Sequence, residues 1–201
     1  MKTPARLVSI LVALLTASCG GSDSGVVNPL NSTDLSDSEQ AALATQLANV
    51  AGAVTTSVQG SQGALTAGDS FLRNAVTVSQ TPSGAVPCAV AGHITYAGNL
   101  TASADQTSWS IYGGVTFQLG DRTNNLNDCE VAHDVIMDGT LNFTIAGNNV
   151  EGIGWTMNGT ITANRRGSTG GLSPRGSCFV MLSLMKGATK ATGSVCGYAV
   201  N

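Results

Sequence analysis

One short stretch of the chain concentrates side chains that could bind a cation. Asp128, Glu130 and Asp134 supply carboxylates, and His133 supplies an imidazole. Hard cations such as Ca²⁺ take several carboxylate and carbonyl oxygens, and a histidine widens the choice to transition metals. The spacing departs from the regular order of a calcium-binding loop. Because unmatched charge clusters usually face water, a solvated loop is the preferred interpretation, and the four residues are weak candidates for a metal site.

No group of residues in the sequence predicts catalysis. A serine hydrolase needs a nucleophile, a histidine and an acid, but the G-x-S-x-G turn that presents such a serine is missing. Glu39, Glu130 and Glu151 are the only glutamates. Glu39 is needed at the start of a helix, so a carboxylate pair for glycoside hydrolysis cannot be assigned. The sequence therefore predicts no catalytic residues, no cofactor and no enzymatic activity.

Four of the five cysteines lie after about residue 86, in the part of the chain where strands are expected. Four cysteines permit three pairings. If the segments after Cys178 and before Cys196 form a hairpin centred on Gly187, these two cysteines lie opposite each other. Cys88 then pairs with Cys129, and no C-x-x-C spacing supports the alternative of a metal site. The sequence predicts two structural disulfides, Cys88–Cys129 and Cys178–Cys196, each worth about 2–4 kcal/mol.

Two hydrophobic periods indicate the elements that must position these residues, one typical of a helix and the other of strands. Ser36 and Glu39 have the spacing of a capping box. Apolar residues then recur at intervals of three and four, which predicts a helix from about Asp37 to Ser57. Gly60 and Gly63 are expected to end it. The apolar positions of this helix are Leu43, Leu47, Val50 and Val54.

From about residue 86 onward, apolar and polar residues alternate, as in strands that bury one face. The clearest runs are 109–119, 141–145 and 153–161, with glycine-containing turns between them. Together the two periods predict an α+β, mainly β domain over residues 35–201. We expect an antiparallel β-meander of about five to seven strands with one N-terminal amphipathic helix packed on one face.

Two functions fit such a domain. The first is a non-enzymatic structural or interaction module. The second is a carrier of a lipid-like or apolar ligand, because a curved sheet against a helix can leave a cavity. Cores use the same residue types, so the module is preferred. The side chains that would line such a cavity are Trp109, Phe117, Phe143, Trp155 and Met157.

Residues 1–18 have the pattern of a signal peptide. Lys2 and Arg6 form a positive region, and an uncharged apolar run follows from Leu7. That run is shorter than the ~20 apolar residues of a comfortable membrane span. Residues 19–34 are rich in glycine, serine and asparagine, which predicts a flexible tether. We therefore expect the protein to be exported, and we expect residues 19–34 to connect its N-terminus flexibly to the folded domain.

Small residues stand directly before Cys19, the one cysteine without a predicted partner. The segment from Thr16 to Cys19 resembles the lipobox of bacterial lipoprotein precursors, with Thr16 where that family favours leucine. The resemblance implies cleavage before Cys19 and attachment of acyl chains such as palmitate to Cys19. Gly20, in place of an aspartate, implies sorting to the outer membrane of a Gram-negative bacterium.

The small number of charged residues and the negative net charge limit the classes of partner that the protein can bind. Only 10% of the residues are charged and the formal net charge is −3, which excludes the basic surface of a nucleic-acid-binding protein. Loss of Lys2 and Arg6 leaves seven basic against twelve acidic residues, a net charge of −5. Electrostatic attraction to anionic lipid would then add nothing, so the acyl chains on Cys19 would hold the protein on the membrane. An envelope protein partner is also expected, of unknown identity.

Overall fold

The computed structural model describes residues 35–67, 76–104, 108–120, 128–169 and 171–201. The expected signal peptide and tether, including Cys19, lie outside these residues. The described chain forms one helix followed by ten strands in a single antiparallel sheet. The helix is α1 (Asp37–Ala67), and the strands are β1 (Val76–Gln80), β2 (Ser83–Pro87), β3 (His93–Ala104), β4 (Trp109–Leu119), β5 (Cys129–Ala132), β6 (Val135–Asn148), β7 (Gly152–Arg166), β8 (Leu172–Leu184), β9 (Thr192–Val195) and β10 (Tyr198–Val200).

The mainly β architecture agrees with the prediction, but the expected number of five to seven strands is too low. One reason is that two positions in the sheet are each filled by two successive strands. Gln80 lies opposite Leu100 and Ser83 lies opposite Ala97, so β1 and β2 keep one register along β3. Pro82 separates them because it has no N–H to donate to the ladder. In the same way β4 and then β5 pair with β6.

The helix begins as the sequence predicts and ends later. The Ser36 N–H donates to Glu39 Oε2 at 2.8 Å, and the Glu39 N–H donates to Ser36 Oγ at 3.4 Å. This reciprocal pair is the capping box. The expected end near Ser57 is wrong, because α1 continues to Ala67 through Gly60 and Gly63. Glycine costs a helix about 1 kcal/mol relative to alanine, which weakens the helix without ending it.

The core lies between α1 and the sheet. Leu43, Leu47, Val50 and Val54 are at most 1% exposed, as the helical period predicts. Helix α1 contacts β3 and β5, and it also contacts β9 and β10. Since β3 and β10 stand near opposite ends of the strand order, the sheet curves around the helix. One face of the sheet is thereby buried against α1, and the other is left to solvent.

Alternation along the central strands separates these two faces. In β6, Leu141, Phe143 and Ile145 are buried, and the threonine or asparagine between each pair is exposed. Successive side chains of a strand point to opposite faces, so every second residue of β6 enters the core. The outer face of β6 and β7 accordingly carries uncharged hydroxyl and amide side chains, among them Asn142, Thr144, Thr156, Asn158 and Thr160. The neighbouring strands β4 and β8 also expose Tyr112, Phe179 and Met181 on this face.

The two disulfides join the pairs of cysteines that the sequence predicts. Cys88 and Cys129 have a Cα–Cα distance of 5.5 Å, and Cys178 and Cys196 have one of 4.8 Å. The expected hairpin register around Gly187 is wrong by one residue. The expected register places Val180 opposite Ser194, but in the structure Val180 lies opposite Val195. Cys196 therefore falls in the turn between β9 and β10.

That turn has the geometry of a tight hairpin. Val195 pairs with Tyr198, so Cys196 and Gly197 are its two central residues. Their φ angles are 53° and 85°. Positive φ at both central positions is typical of a type I′ turn, whose twist matches that of the flanking strands. The disulfide thus fixes the last hairpin of the chain to β8.

Candidate functional site

Three of the four candidate metal ligands meet at the two-residue turn between β5 and β6. Ligand atoms of Glu130, His133 and Asp134 all lie within 4.8 Å of one another. Glu130 Oε1 accepts a hydrogen bond from the Asp134 N–H at 2.9 Å, and His133 Nδ1 lies 2.9 Å from Asp134 Oδ2. The His133 side chain is 91% exposed. These contacts account for the cluster as a solvated turn, in which Asp134 has a φ of 63° that aspartate tolerates better than most residues.

Asp128, the fourth candidate, is turned toward a different partner. Its Oδ2 lies 3.4 Å from Arg166 Nη2 at the end of β7. The structure therefore brings together three of the predicted ligands and pairs the fourth with an arginine. The acidic stretch does not form one four-residue site.

The same end of the sheet holds the start of the helix. Arg165 donates through Nη2 to Glu39 Oε1, and only 15% of the Glu39 side chain is exposed. Burial alone would raise the pKa of Glu39, but hydrogen bonds from the Ser36 N–H and hydroxyl and from Arg165 outweigh it and hold the pKa below its usual value. This ion pair connects the capping box to β7, so it has a structural role.

The five aromatic and methionine side chains suggested for a ligand cavity belong to the core. Phe117, Phe143 and Met157 are at most 1% exposed, and Trp155 is 7% exposed. The ring centroids of Phe117 and Phe143 are 5.5 Å apart, as are those of Phe143 and Trp155. Trp109 is partly buried and packs against the same cluster. These contacts are those of a packed core, which supports the preferred interpretation of the residues.

A groove of about 300 Å³ opens on the outer face of the sheet, and Trp155, one of the five residues suggested for a ligand cavity, is part of its lining. Ala146 and Gly154 pair with each other across β6 and β7 and leave a shallow floor. The loop after β8 makes one wall, because a methyl group on Gly154 would lie 2.9 Å from the Leu184 carbonyl oxygen and 3.0 Å from Lys186 Cγ. Met185 in this loop is 75% exposed. The groove is thus a shallow depression over two small residues, bordered by a loop that contributes the apolar parts of Met185 and Lys186.

Hydroxyl groups line one side of this groove. Thr144, Thr156 and Ser183 line it, and they occupy directly opposed positions on β6, β7 and β8. Thr192 on β9 continues the row. Thr144 Oγ1 and Thr156 Oγ1 are hydrogen-bonded at 2.6 Å. The arrangement offers a row of donors and acceptors without a formal charge.

The charged groups at the other side of the groove neutralise each other. Lys186 Nζ lies 2.6 Å from Glu151 Oε2, which also accepts a hydrogen bond from Asn148 Nδ2 at 2.9 Å. Hydrogen bonds from Lys186 and Asn148, together with the Lys186 charge, lower the pKa of Glu151. Lys186 is therefore already paired and presents mainly its alkyl chain to the groove.

The groove was missed in the sequence because its residues are far apart in the chain. Thr144, Thr156 and Ser183 are ordinary solvent-side residues of three strands until the register aligns them. The available signal was the small pair Ala146 and Gly154 at the ends of two strands that were both predicted.

No protein-family model, curated protein or solved structure matches this chain. Among the described residues, no helix is both long enough and apolar enough to cross a bilayer.

Proposed function

We propose that this protein is a lipid-anchored, non-enzymatic binding module of a bacterial cell envelope. The observation that carries the proposal is the position of Cys19, which follows small residues and an apolar signal-like segment and is left over when the other four cysteines pair. Disulfides form and persist in oxidising compartments outside the cytoplasm. Acyl chains on Cys19 would anchor the chain, and residues 19–34 would connect the anchor to the domain. Outer-membrane placement in a Gram-negative bacterium rests on Gly20.

The side chains of the domain support binding rather than catalysis. Within the described residues, the group of His, Asp and Glu side chains that could hold a metal is the exposed β5–β6 turn. The outer face of the sheet, with its groove, is exposed and available to a partner. The apolar carrier is the weaker alternative, because the residues that would line its cavity pack against one another.

Labelling with an alkyne analogue of palmitate in a Gram-negative host tests the anchor. We expect label on the wild-type chain in the membrane fraction, and none on the Cys19→Ser variant. Gly20→Asp is the matched sorting control and should move labelled protein from the outer to the inner membrane. Equal labelling of wild type and Cys19→Ser would overturn the proposal.

A further inference from the structure

The groove on the outer face combines two kinds of surface that one class of ligand requires together. Thr144, Thr156 and Ser183 provide hydroxyls on one side. Ala146, Met185 and the alkyl chain of Lys186 provide carbon on the other. A sugar ring has the matching arrangement, with hydroxyls around its edge and C–H groups on its faces. The Thr144 and Thr156 hydroxyls bond to each other at 2.6 Å, and each retains further donor or acceptor capacity for a sugar hydroxyl.

The charge of the groove points to an uncharged ligand. Lys186 is the cation that lines it, and its ammonium group is paired with Glu151 at 2.6 Å. An anionic ligand would have to compete with that carboxylate. The outward-facing residues of β6 and β7 beside the groove are threonine, asparagine and alanine. Neutral donors and acceptors on the protein complement neutral hydroxyls on the ligand.

The length of the hydroxyl row favours an extended chain over a single sugar. Thr144, Thr156, Ser183 and Thr192 stand on four neighbouring strands. At the usual strand spacing of about 4.8 Å the row spans about 14 Å. On the far side of Ala146, β4 presents Tyr112, which pairs with Ala146 and is 60% exposed. A tyrosine ring beside the groove offers an apolar face and a hydroxyl to the same ligand.

The groove also lies far from the end of the domain where α1 begins. Arg165 of β7 contacts Glu39 in the first turn of α1, and Thr156 lies nine residues earlier on the same strand. At about 3.3 Å per residue, the groove is about 30 Å from that contact. The groove therefore lies at the end of the domain far from Leu35, where the expected tether joins it.

From these observations we infer that the groove over Ala146 and Gly154 binds an uncharged, extended oligosaccharide segment. The inference rests on the proposed function and names the ligand class of its binding surface. Sugar hydroxyls would bond to the row from Thr144 to Ser183, and a ring face would lie on Ala146 and Met185.

Titration of the full-length protein in detergent micelles tests this inference. The probes are cellotriose and tri-N-acetylchitotriose, two neutral β-1,4-linked trisaccharides, with the acidic trimer of galacturonic acid as a charged counterpart. Binding is followed by saturation-transfer NMR. We expect at least one neutral trisaccharide to bind and the acidic trimer to bind at least about tenfold more weakly, because it must compete with Glu151 for Lys186.

Three variants locate the site. Ala146→Leu fills the floor and should weaken binding by more than about tenfold, and Thr156→Val removes one hydroxyl at nearly constant volume and should weaken it about fivefold. Thr160→Val is the matched control on the same face of β7, outside the groove, and should change binding less than about twofold. Thermal unfolding checks that each variant is folded.

Absence of binding by both neutral trisaccharides, tighter binding of the acidic trimer, or equal effects of Thr156→Val and Thr160→Val would overturn the inference. The anchor is judged separately by palmitate labelling. A labelled membrane protein that binds no trisaccharide would remove the glycan site alone, and an unlabelled protein that binds one would remove the anchor alone.

Discussion

Glu39 has two structural roles at once. Its carboxylate completes the capping box with Ser36 and accepts a hydrogen bond from Arg165 of β7. Both contacts are stronger with the ionised form, and both contribute to the lowered pKa of Glu39. A carboxyl group whose pKa is lower in the folded than in the unfolded protein stabilises the fold above its unfolded pKa, and that stability is lost as pH falls through the folded pKa.

Glu39→Gln should therefore destabilise the protein at neutral pH by up to about 1 kcal/mol, because glutamine can still complete the capping box but lacks the charge that pairs with Arg165. The wild type should lose this advantage as the pH falls below about 4.5, so the two free energies of unfolding should converge there. Urea unfolding at pH 7 and at pH 3 measures the difference. Glu151→Gln is the control, because its ion pair is exposed and should contribute little. A difference between wild type and Glu39→Gln that is independent of pH would contradict this role.

Gly159 is required by a close approach between strands. A methyl group there would lie 2.6 Å from the Thr140 carbonyl oxygen and 2.8 Å from Leu141 Cδ2. We expect Gly159→Ala to destabilise the fold by about 1–3 kcal/mol, since the neighbouring strand must shift. Gly114→Ala is the matched control, because its nearest neighbour would be the Phe143 carbonyl oxygen at 3.6 Å. Equal melting temperatures for the two variants would show that the sheet absorbs the added methyl group.

At the scale of elements, the last hairpin depends on a covalent bond. Strands β9 and β10 have only four and three residues, and the Cys178–Cys196 disulfide fixes their turn to β8. A two-stranded hairpin alone is marginally stable in water. The hairpin also contacts α1, so its position affects the core.

Replacement of both Cys178 and Cys196 by serine should cost about 2–4 kcal/mol of stability. The loss of amide protection should be largest in β9 and β10, because these strands lose their link to β8. Hydrogen exchange measures it strand by strand. The double variant Cys88→Ser with Cys129→Ser is the comparison and should loosen the segment after β2 instead. Unchanged exchange in β10 after removal of Cys178–Cys196 would show that packing alone holds the hairpin.

What the sequence predicted depended on how local each feature is. The helix start at Ser36 and Glu39 and its buried stripe follow from spacings of three and four residues, and both are found. The strand number and the β8–β9 register failed, because Pro82 divides one strand position and Cys196 sits in a turn. Neither effect is visible as a period. The groove joins Thr144, Thr156 and Ser183 through strand register alone, which no local pattern contains.

At the scale of the whole molecule, one curved sheet separates two different surfaces. The inner surface packs on α1 through a continuous cluster that includes Phe117, Phe143 and Met157. The outer surface is polar and nearly free of charge along β6 and β7. One face of these strands thus forms the core, and the opposite face is exposed to solvent.

A folded protein with this core should not take up a fatty acid. We expect a fluorescent fatty-acid analogue to show no saturable binding, because Phe143 and its ring neighbours are buried and packed against one another in the core. Fluorescence titration below the critical micelle concentration of the analogue measures this. Saturable binding that Ala146→Leu leaves unchanged would point to the interior and favour the carrier alternative.

One edge of the sheet is formed by the two short strands β1 and β2, and this affects how closely spaced copies of the protein would interact. Exposed strand edges can recruit the edges of neighbouring molecules, and long uninterrupted edges do so best. Here the edge consists of two strands of five residues each with a break between them, so a neighbouring chain meets two short segments in place of one long strand. Many copies held side by side on one surface would remain separate molecules, each with its outer face free.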